Sequence, residues 1–177
     1  MLSPRQEFRF ARQQELLEQI DESGGPWPAP TLLLDLGIED GLSGVQIKGK
    51  WPSATLVGVE LHQEHCAEAP ECYDLVYNQE AYAHLFSSYH VYDVTICAEL
   101  IEHMPKETGE LFLETLEKFT RYAILTTPLG FMRQGEIKGN PHQVHRSGWE
   151  PEEFSQRGWE VPVISEEHRL IVATWGL

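Results

Sequence analysis

Short apolar runs recur along the chain and are separated by turn residues and helical patterns. Each run has five to eight residues rich in Val, Ile, Leu and aromatic side chains, which predicts a strand. The seven predicted strands cover residues 31–37, 55–61, 73–77, 91–98, 122–128, 158–164 and 169–176. Helical patterns lie between several of the first five, whereas only SEEH separates the last two. The pattern therefore predicts an α/β fold with a parallel sheet and an antiparallel C-terminal hairpin.

Two segments carry the period of a helix with one apolar side. Residues 4–22 follow a serine that suits the N-cap position, begin with proline and end before a Gly-Gly-Pro sequence. Residues 106–119 carry apolar side chains at Leu111, Leu113, Leu116 and Phe119. We expect a single domain over residues 1–177, with an N-terminal helical segment (1–25), a turn-rich connector (24–30) and an α/β core (31–177).

Acidic residues dominate the charge of the chain. Its 13 Lys and Arg against 28 Asp and Glu give a net charge of −15, which repels phosphate backbones and anionic lipid headgroups. We therefore expect no nucleic-acid and no membrane partner. Three cysteines without a CxxC pair, and no apolar run near the roughly 20 residues of a membrane span, predict a reduced, cytoplasmic protein.

The turn after the first predicted strand has the pattern of a nucleoside site. Asp35 lies in the strand, and Gly37 and Gly41 permit a tight turn close to a ligand. Glu60 ends the second strand at a spacing suited to binding ribose hydroxyls. Neither GxGxxG nor GxxxxGK[ST] is present, so the pattern favours a cofactor without phosphates.

The ordered segments resemble class I S-adenosylmethionine-dependent methyltransferases over roughly residues 31–175. LLLDLGIEDG resembles the first motif and LVGVEL the second. YDVTICAELIEHMPKETGELFLETLEKF, ILTTPLGF and SGWEPEEFSQRGWEV resemble later segments in the same order. The resemblance implies a doubly wound, mostly parallel, seven-stranded Rossmann-like sheet, S-adenosylmethionine as the cofactor and transfer of a methyl group.

Carried over to this chain, the resemblance implies a cofactor site along the first, second and fourth strands. Asp35, Gly37 and Gly41 would line the methionine end, Glu60 would hold the ribose, and Glu80 would lie near the adenine. The full set of implied cofactor-binding residues is Asp35, Gly37, Glu39, Gly41, Glu60, Glu80 and Glu99. Glu39 departs from the family, which usually has glycine there, and its side chain either clashes with the methionine carboxylate or pairs with the ammonium group.

Histidines are the candidate catalytic residues, since their pKa suits proton transfer. His103 follows the fourth strand in a Glu-His pair, and His145 lies in the long segment 128–149. That segment is expected to cover the acceptor, with Phe131, His142 and Trp149 binding it. The structural alternatives are that Glu102 and His103 fix their loop by a hydrogen bond, and that His145 and Trp149 hold segment 128–149 against the domain.

A bound metal is not expected from the histidine spacing. His62, His65 and Cys66 lie close together, as do His142 and His145, but neither group matches a recognised zinc pattern.

A small molecule is the expected acceptor, because no large added domain or basic surface is evident. Two other functions remain open: a non-catalytic binding protein with a degenerate cofactor site around Glu39, and an NAD-dependent oxidoreductase. The sequence gives no indication of the oligomeric state.

Overall fold

The computed structural model describes residues 2–22 and 29–177. In these ranges the helices are α1 Pro4–Glu22, α2 Leu42–Lys50, α3 Gln63–Ala67, α4 Ala81–Ser87, α5 Lys106–Phe119 and α6 Pro151–Ser155. The strands are β1 Leu32–Leu36, β2 Thr55–Glu60, β3 Leu75–Asn78, β4 Tyr92–Ala98, β5 Thr120–Pro128, β6 Glu160–Ser165 and β7 Leu170–Trp175. All seven predicted strands are confirmed within two residues at each end. Residues 24–28 of the predicted connector lie outside the described residues.

The seven strands of the described chain form one sheet in the order β3-β2-β1-β4-β5-β7-β6. Neighbouring strands from β3 to β5 are parallel, whereas β7 is antiparallel to both β5 and β6. The chain reverses direction along the sheet at β1, where the order passes from β3-β2 to β4-β5. This is the doubly wound sheet with a C-terminal hairpin that the sequence predicts, and it brings the carboxyl ends of five strands to one edge.

Helices cover both faces of the sheet and bury two apolar clusters. On one face α1 and α2 contribute Leu16, Leu17 and Ile47 to the first cluster. On the other face α4, α5 and α6 contribute residues such as Leu85, Phe112 and Phe154. Among the described helices, none combines the length and the apolar character that crossing a bilayer requires.

The buried side of α5 differs from the prediction at one position. Leu111 is half exposed, while Phe112 is fully buried beside Leu113 and Leu116. The apolar positions at 111, 113, 116 and 119 do not lie on a single helical face. The face that becomes buried is the one that carries the aromatic ring of Phe112.

Candidate active site

Two neighbouring cavities open where the parallel strands end. The larger has a volume of about 270 Å³ and the smaller about 230 Å³. Four residues line both of them: Glu39, Glu99, His103 and Gln143. These four side chains form the wall between the cavities, so a group bound in one cavity lies next to a group bound in the other.

The larger cavity is built from the carboxyl ends of three strands. Gly37 follows β1, Glu60 ends β2 and Glu99 follows β4. Glu80, just before α4, lies on its wall, and the segment between β5 and α6 contributes His142. Five of the seven residues that the resemblance implies for the cofactor therefore line this one cavity: Gly37, Glu39, Glu60, Glu80 and Glu99.

Glu60 holds the turn after β1 by its side-chain carboxylate. The backbone N–H of Glu39 donates to Glu60 Oε2 at 3.1 Å, and the N–H of His62 donates to Oε1 at 2.7 Å. A carboxylate oxygen has two lone pairs, so each oxygen can still accept one further hydrogen bond. Glu60 is therefore both a brace for the turn and an available acceptor on the cavity wall.

Asp35 and Gly41, the other two implied cofactor residues, lie behind the turn and are not among the described residues that line either cavity. Asp35 is fully buried and accepts a hydrogen bond of 2.6 Å from the Tyr73 hydroxyl. Burial raises the pKa of its carboxyl group to about 7, although the bond from Tyr73 opposes the rise. Gly41 has a φ of 74° and packs against Pro70, so a side chain there would clash. The structure gives both residues a role in shaping the turn.

Glu39 has a left-handed backbone conformation, with a φ of 47° that favours glycine. Its side chain lines both cavities. Desolvation at the cavity walls raises the pKa of its carboxyl group, and the neighbouring carboxylate of Asp40 raises it further. The side chain that departs from the family pattern thus lies at the junction of the two cavities.

Helix α1 forms one side of the smaller cavity through Arg5, Gln6 and Arg9. The Arg5 guanidinium pairs with Glu99 Oε2 at 2.5 Å and approaches Met132 Sδ at 3.6 Å. Arg9 is buried. The sequence predicts α1 but no role for it at the site, because helix periodicity does not show which strand ends a helix will cross. The sequence feature that could have indicated this role is the pair Arg5 and Arg9, two cations four residues apart in a strongly acidic chain.

Three titratable side chains meet beneath this helix. Glu102 and His103 belong to a short 3₁₀ turn, Ile101–His103, and His145 comes from the segment between β5 and α6. Their ligand atoms all lie within 4.8 Å of one another, so they could hold a metal ion. Of the two groups considered from spacing, His62, His65 and Cys66 lie beside Glu60. Of the pair His142 and His145, only His145 belongs to this cluster.

Hydrogen bonds set the protonation pattern of the two histidine rings. His103 Nδ1 lies 3.3 Å from the Val144 carbonyl, and His145 Nδ1 lies 2.6 Å from the Met132 carbonyl. A carbonyl oxygen only accepts, so both Nδ1 atoms carry the proton and each neutral ring has a lone pair on Nε2. Burial lowers the pKa of His103 to about 4, which keeps the ring neutral at pH 7.

Glu102 is buried with one oxygen satisfied and one free. Thr127 Oγ1 donates to its Oε2 at 3.0 Å, whereas Oε1 has no hydrogen-bond partner in the described part of the chain. Burial and the nearby carboxylate of Glu99 raise the pKa of Glu102 well above its ordinary value. The hydrogen bond between Glu102 and His103 that the structural alternative invokes is not among the bonds of the described residues.

The three residues expected to bind the acceptor lie in different places. His142 lines the larger cavity, and Phe131 is 57% exposed on the surface. Trp149 is buried, donates Nε1–H to Ser147 Oγ at 3.0 Å and stacks under Lys106 Nζ. A Cβ at Gly109 would lie 2.5 Å from the Trp149 ring, so the glycine in α5 makes room for it. This packing matches the alternative in which Trp149 holds the segment against the domain.

Comparison with descriptions of protein families found no match, and comparison with curated proteins found none either. Solved structures do match. The plantazolicin methyltransferase BpumL, in complex with a triazolic desmethylPZN analogue and SAH, has a TM-score of 0.70 and 14% identity over 97% of this chain and 84% of its own. Magnesium protoporphyrin IX methyltransferase (ChlM) from Synechocystis PCC 6803, with bound SAM, has a TM-score of 0.59 and 17% identity over 98% and 85%.

A third match is the small RNA methyltransferase HEN1, with a TM-score of 0.62 and 19% identity over 93% of this chain and 25% of its own. The chain has a class I methyltransferase fold. Identities of 14–19% show this fold alone, and the three neighbours are named for three different acceptors.

Proposed function

We propose that this chain is an S-adenosylmethionine-dependent methyltransferase that binds the cofactor in the larger cavity and the methyl acceptor in the smaller one. The observation that carries the proposal is the larger cavity itself, which lies at the carboxyl ends of β1, β2 and β4. In a doubly wound sheet, ligands bind in the crevice where the strand order reverses, and that crevice holds this cavity. Two solved neighbours with the same fold contain SAM or SAH.

The residues on the cavity wall fit an adenosyl group. Gly37 has a φ of 82°, a left-handed backbone conformation that favours glycine, so the turn can pass close to the methionine end of the cofactor. Glu60 retains free lone pairs for ribose hydroxyls. Glu80 is exposed on the cavity wall, and its side chain makes no capping bond to α4, so it can accept from an adenine amino group.

The wall between the cavities supplies the groups that act on the acceptor. S-adenosylmethionine, when bound, supplies an electrophilic methyl group, so the protein has to hold the acceptor in line with it. His103 lines both cavities and His145 lines the smaller one, and each presents Nε2 as a hydrogen-bond acceptor. These two side chains can orient the acceptor and accept its proton when the acceptor atom carries one.

A small molecule is the acceptor class that the smaller cavity favours. Its volume of about 230 Å³ lies below the range typical of drug-sized ligands, which limits the acceptor to a small molecule, and both Arg5 and Glu99 lie on its wall. The net charge of −15 opposes the approach of a nucleic acid. The acceptor is therefore proposed to be a small polar molecule.

Isothermal titration calorimetry with S-adenosylmethionine, S-adenosylhomocysteine and NAD tests the proposal. We expect micromolar binding of both adenosyl ligands and none of NAD. Glu60→Ala should weaken that binding by at least about tenfold, since it removes hydrogen bonds to a charged acceptor. Glu64→Ala, which removes an exposed carboxylate from α3, is the matched control and should leave the affinity unchanged.

Two outcomes would contradict the proposal. Binding of NAD without the adenosyl ligands would favour an oxidoreductase. Absence of binding by the wild type, with recovery in Glu39→Gly, would mean that Glu39 blocks the methionine end and that the chain is a non-catalytic protein with this fold.

A further inference from the structure

The side chain of Glu102 carries a buried carboxylate oxygen without a hydrogen-bond partner in the described residues. Glu102 is 1% exposed, and its Oε1 has no hydrogen-bond partner among residues 2–22 and 29–177. Leaving a buried acceptor unpaired destabilises the folded state. The side chain lines the smaller cavity, so a ligand that enters this cavity can reach the free oxygen.

The two neighbouring imidazoles are oriented in the manner of metal ligands. Their Nδ1–H groups donate to the carbonyls of Val144 and Met132, which fixes each ring and makes Nε2 the ligand atom. Histidines that bind metals almost always donate their other ring N–H to a carbonyl, a carboxylate or water in this way. The rings of His103 and His145 meet edge to face, with centroids 4.9 Å apart.

The distances among the three ligand atoms suit one ion. They lie within 4.8 Å of one another. Metal–ligand bonds of about 2.0–2.3 Å place ligand atoms roughly 3–4.5 Å apart, so small side-chain movements would complete the geometry. Two imidazoles with a carboxylate favour first-row transition ions and Zn²⁺ over Mg²⁺ and Ca²⁺, which prefer oxygen ligands.

Glu99 is the nearby carboxylate that could join this group. It has a φ of 52°, an uncommon conformation for a residue other than glycine, and it lines the smaller cavity beside Glu102 and His103. Its Oε2 pairs with Arg5, while its Oε1 is buried with no partner in the described residues. Arg5 thus neutralises the carboxylate that a cation in the same cavity would attract.

We propose that Glu102, His103 and His145 form a binding site for a divalent transition-metal ion, with Glu99 as a fourth ligand that Arg5 holds back in the cation-free state. The guanidinium and the cation compete for one carboxylate, so binding of the metal releases the first turn of α1. That turn forms one side of the smaller cavity, and its release widens the opening to the cavity. With the ion bound, Nε2 of His103 and of His145 holds the metal and no longer accepts a proton, so the ion orients the acceptor in their place. That the metal faces a methyl acceptor rests on the proposed function.

Titration of the full chain with Mn²⁺, followed by the electron paramagnetic resonance signal of free Mn²⁺, tests the site. We expect one Mn²⁺ per chain with micromolar affinity and weak competition by Mg²⁺. Glu102→Gln and His145→Gln should each weaken binding by at least about tenfold. His90→Gln, which changes an exposed histidine outside both cavities, should bind as the wild type does.

The fold of each variant is checked by circular dichroism, and two replacements on different elements keep the test informative if one of them unfolds. The site would be overturned if the wild type bound neither Mn²⁺ nor Zn²⁺ below millimolar concentration. Equal losses in His90→Gln and His145→Gln would overturn it as well. Because the titration contains no S-adenosylmethionine, its failure is distinct from failure of the calorimetric test above.

The competition with Arg5 has its own test. Arg5→Ala should tighten Mn²⁺ binding by about two- to fivefold, the range of a partly exposed ion pair. Arg12→Ala, on the same helix but outside both cavities, is the control and should change nothing. Trypsin should cleave α1 faster when Mn²⁺ is present. Unchanged or weaker binding in Arg5→Ala, or cleavage that ignores Mn²⁺, would overturn the competition.

Discussion

Buried carboxylates at the two edges of the parallel sheet differ in how completely their oxygens are paired, although Glu60 at the carboxyl edge has a donor for each oxygen. At the amino edge Asp93 uses both oxygens: Oδ2 accepts from the N–H of Thr31, the hydroxyl of Thr31 and the N–H of Leu32, and Oδ1 accepts from Arg121. At the carboxyl edge Asp35, Glu99 and Glu102 each keep one buried oxygen without a hydrogen-bond partner among the described residues.

This difference separates carboxylates that hold the fold from carboxylates that are free to bind. Asp93 joins the starts of β1, β4 and β5, and the chain itself supplies a partner to each of its oxygens. An unpaired buried oxygen destabilises the folded state, so three of them at one edge mark a place where stability is lower than it could be. The cavities lie at that edge, where the free oxygens of Glu99 and Glu102 can serve a ligand, whereas Asp35 lies behind the turn and lines neither cavity.

Removing the Asp93 carboxylate from the amino edge is expected to have the largest effect on stability. Asp93→Ala leaves the N–H groups of Thr31 and Leu32 without their acceptor and removes the ion pair with Arg121. We expect a loss of about 2–4 kcal/mol in the free energy of unfolding, measured by urea denaturation. Ligand affinity of the folded fraction should remain that of the wild type. A loss below about 1 kcal/mol would contradict the structural role of Asp93.

Replacing the buried Asp35 at the carboxyl edge by asparagine should raise the free energy of unfolding relative to the wild type, and this gain should grow as pH rises. The pKa of Asp35 is about 7 in the folded state, above the unfolded value, so the folded protein holds this proton more tightly than the unfolded chain does. The free energy of unfolding therefore falls as pH rises toward and through 7. Between pH 5 and pH 8 the wild type should lose about 2 kcal/mol of unfolding free energy relative to Asp35→Asn.

Urea denaturation at several pH values measures this difference. Glu64→Gln, which neutralises an exposed carboxylate, is the control and should follow the pH dependence of the wild type. Parallel stability curves for the wild type and Asp35→Asn would show that burial does not perturb this carboxyl group.

The smallest effect is expected at Glu80, which is exposed on the wall of the larger cavity. Glu80→Gln should weaken binding of S-adenosylmethionine by about two- to fivefold, because a neutral amide accepts a weaker hydrogen bond than a carboxylate. The free energy of unfolding should change by less than about 0.5 kcal/mol. Calorimetry and urea denaturation measure the two quantities, and a loss of stability without a loss of affinity would assign Glu80 to the fold instead.

Local sequence patterns were enough to predict most of the fold. Apolar runs of strand length and the short SEEH turn predict all seven strands and the C-terminal hairpin, because burial of a strand requires contiguous apolar residues. The boundaries of α1 follow in the same way from a serine, a proline and a Gly-Gly-Pro sequence. The exposed position of Leu111 was not predictable, because the sheet selects which of two overlapping apolar faces it covers.

The site was most predictable where a residue follows or ends a strand. Gly37, Glu60 and Glu99 each follow or end a strand, and the structure places all three on the larger cavity. Trp149 lies in the core because of the space at Gly109, 40 residues earlier in the chain, and no local pattern reports such a pairing.

The sequence by itself determined the order of the strands along the chain, the turn after β1 and the acidic residues at the strand ends. Only the tertiary structure decided which of these acids are saturated and which are free. It also brought Arg5 to Glu99 across 94 residues and His145 to Glu102 across 43. Hydrophobic periodicity indicates only which face of a helix or strand becomes buried. The meeting of side chains from distant elements depends on how those elements pack, and that packing forms the site.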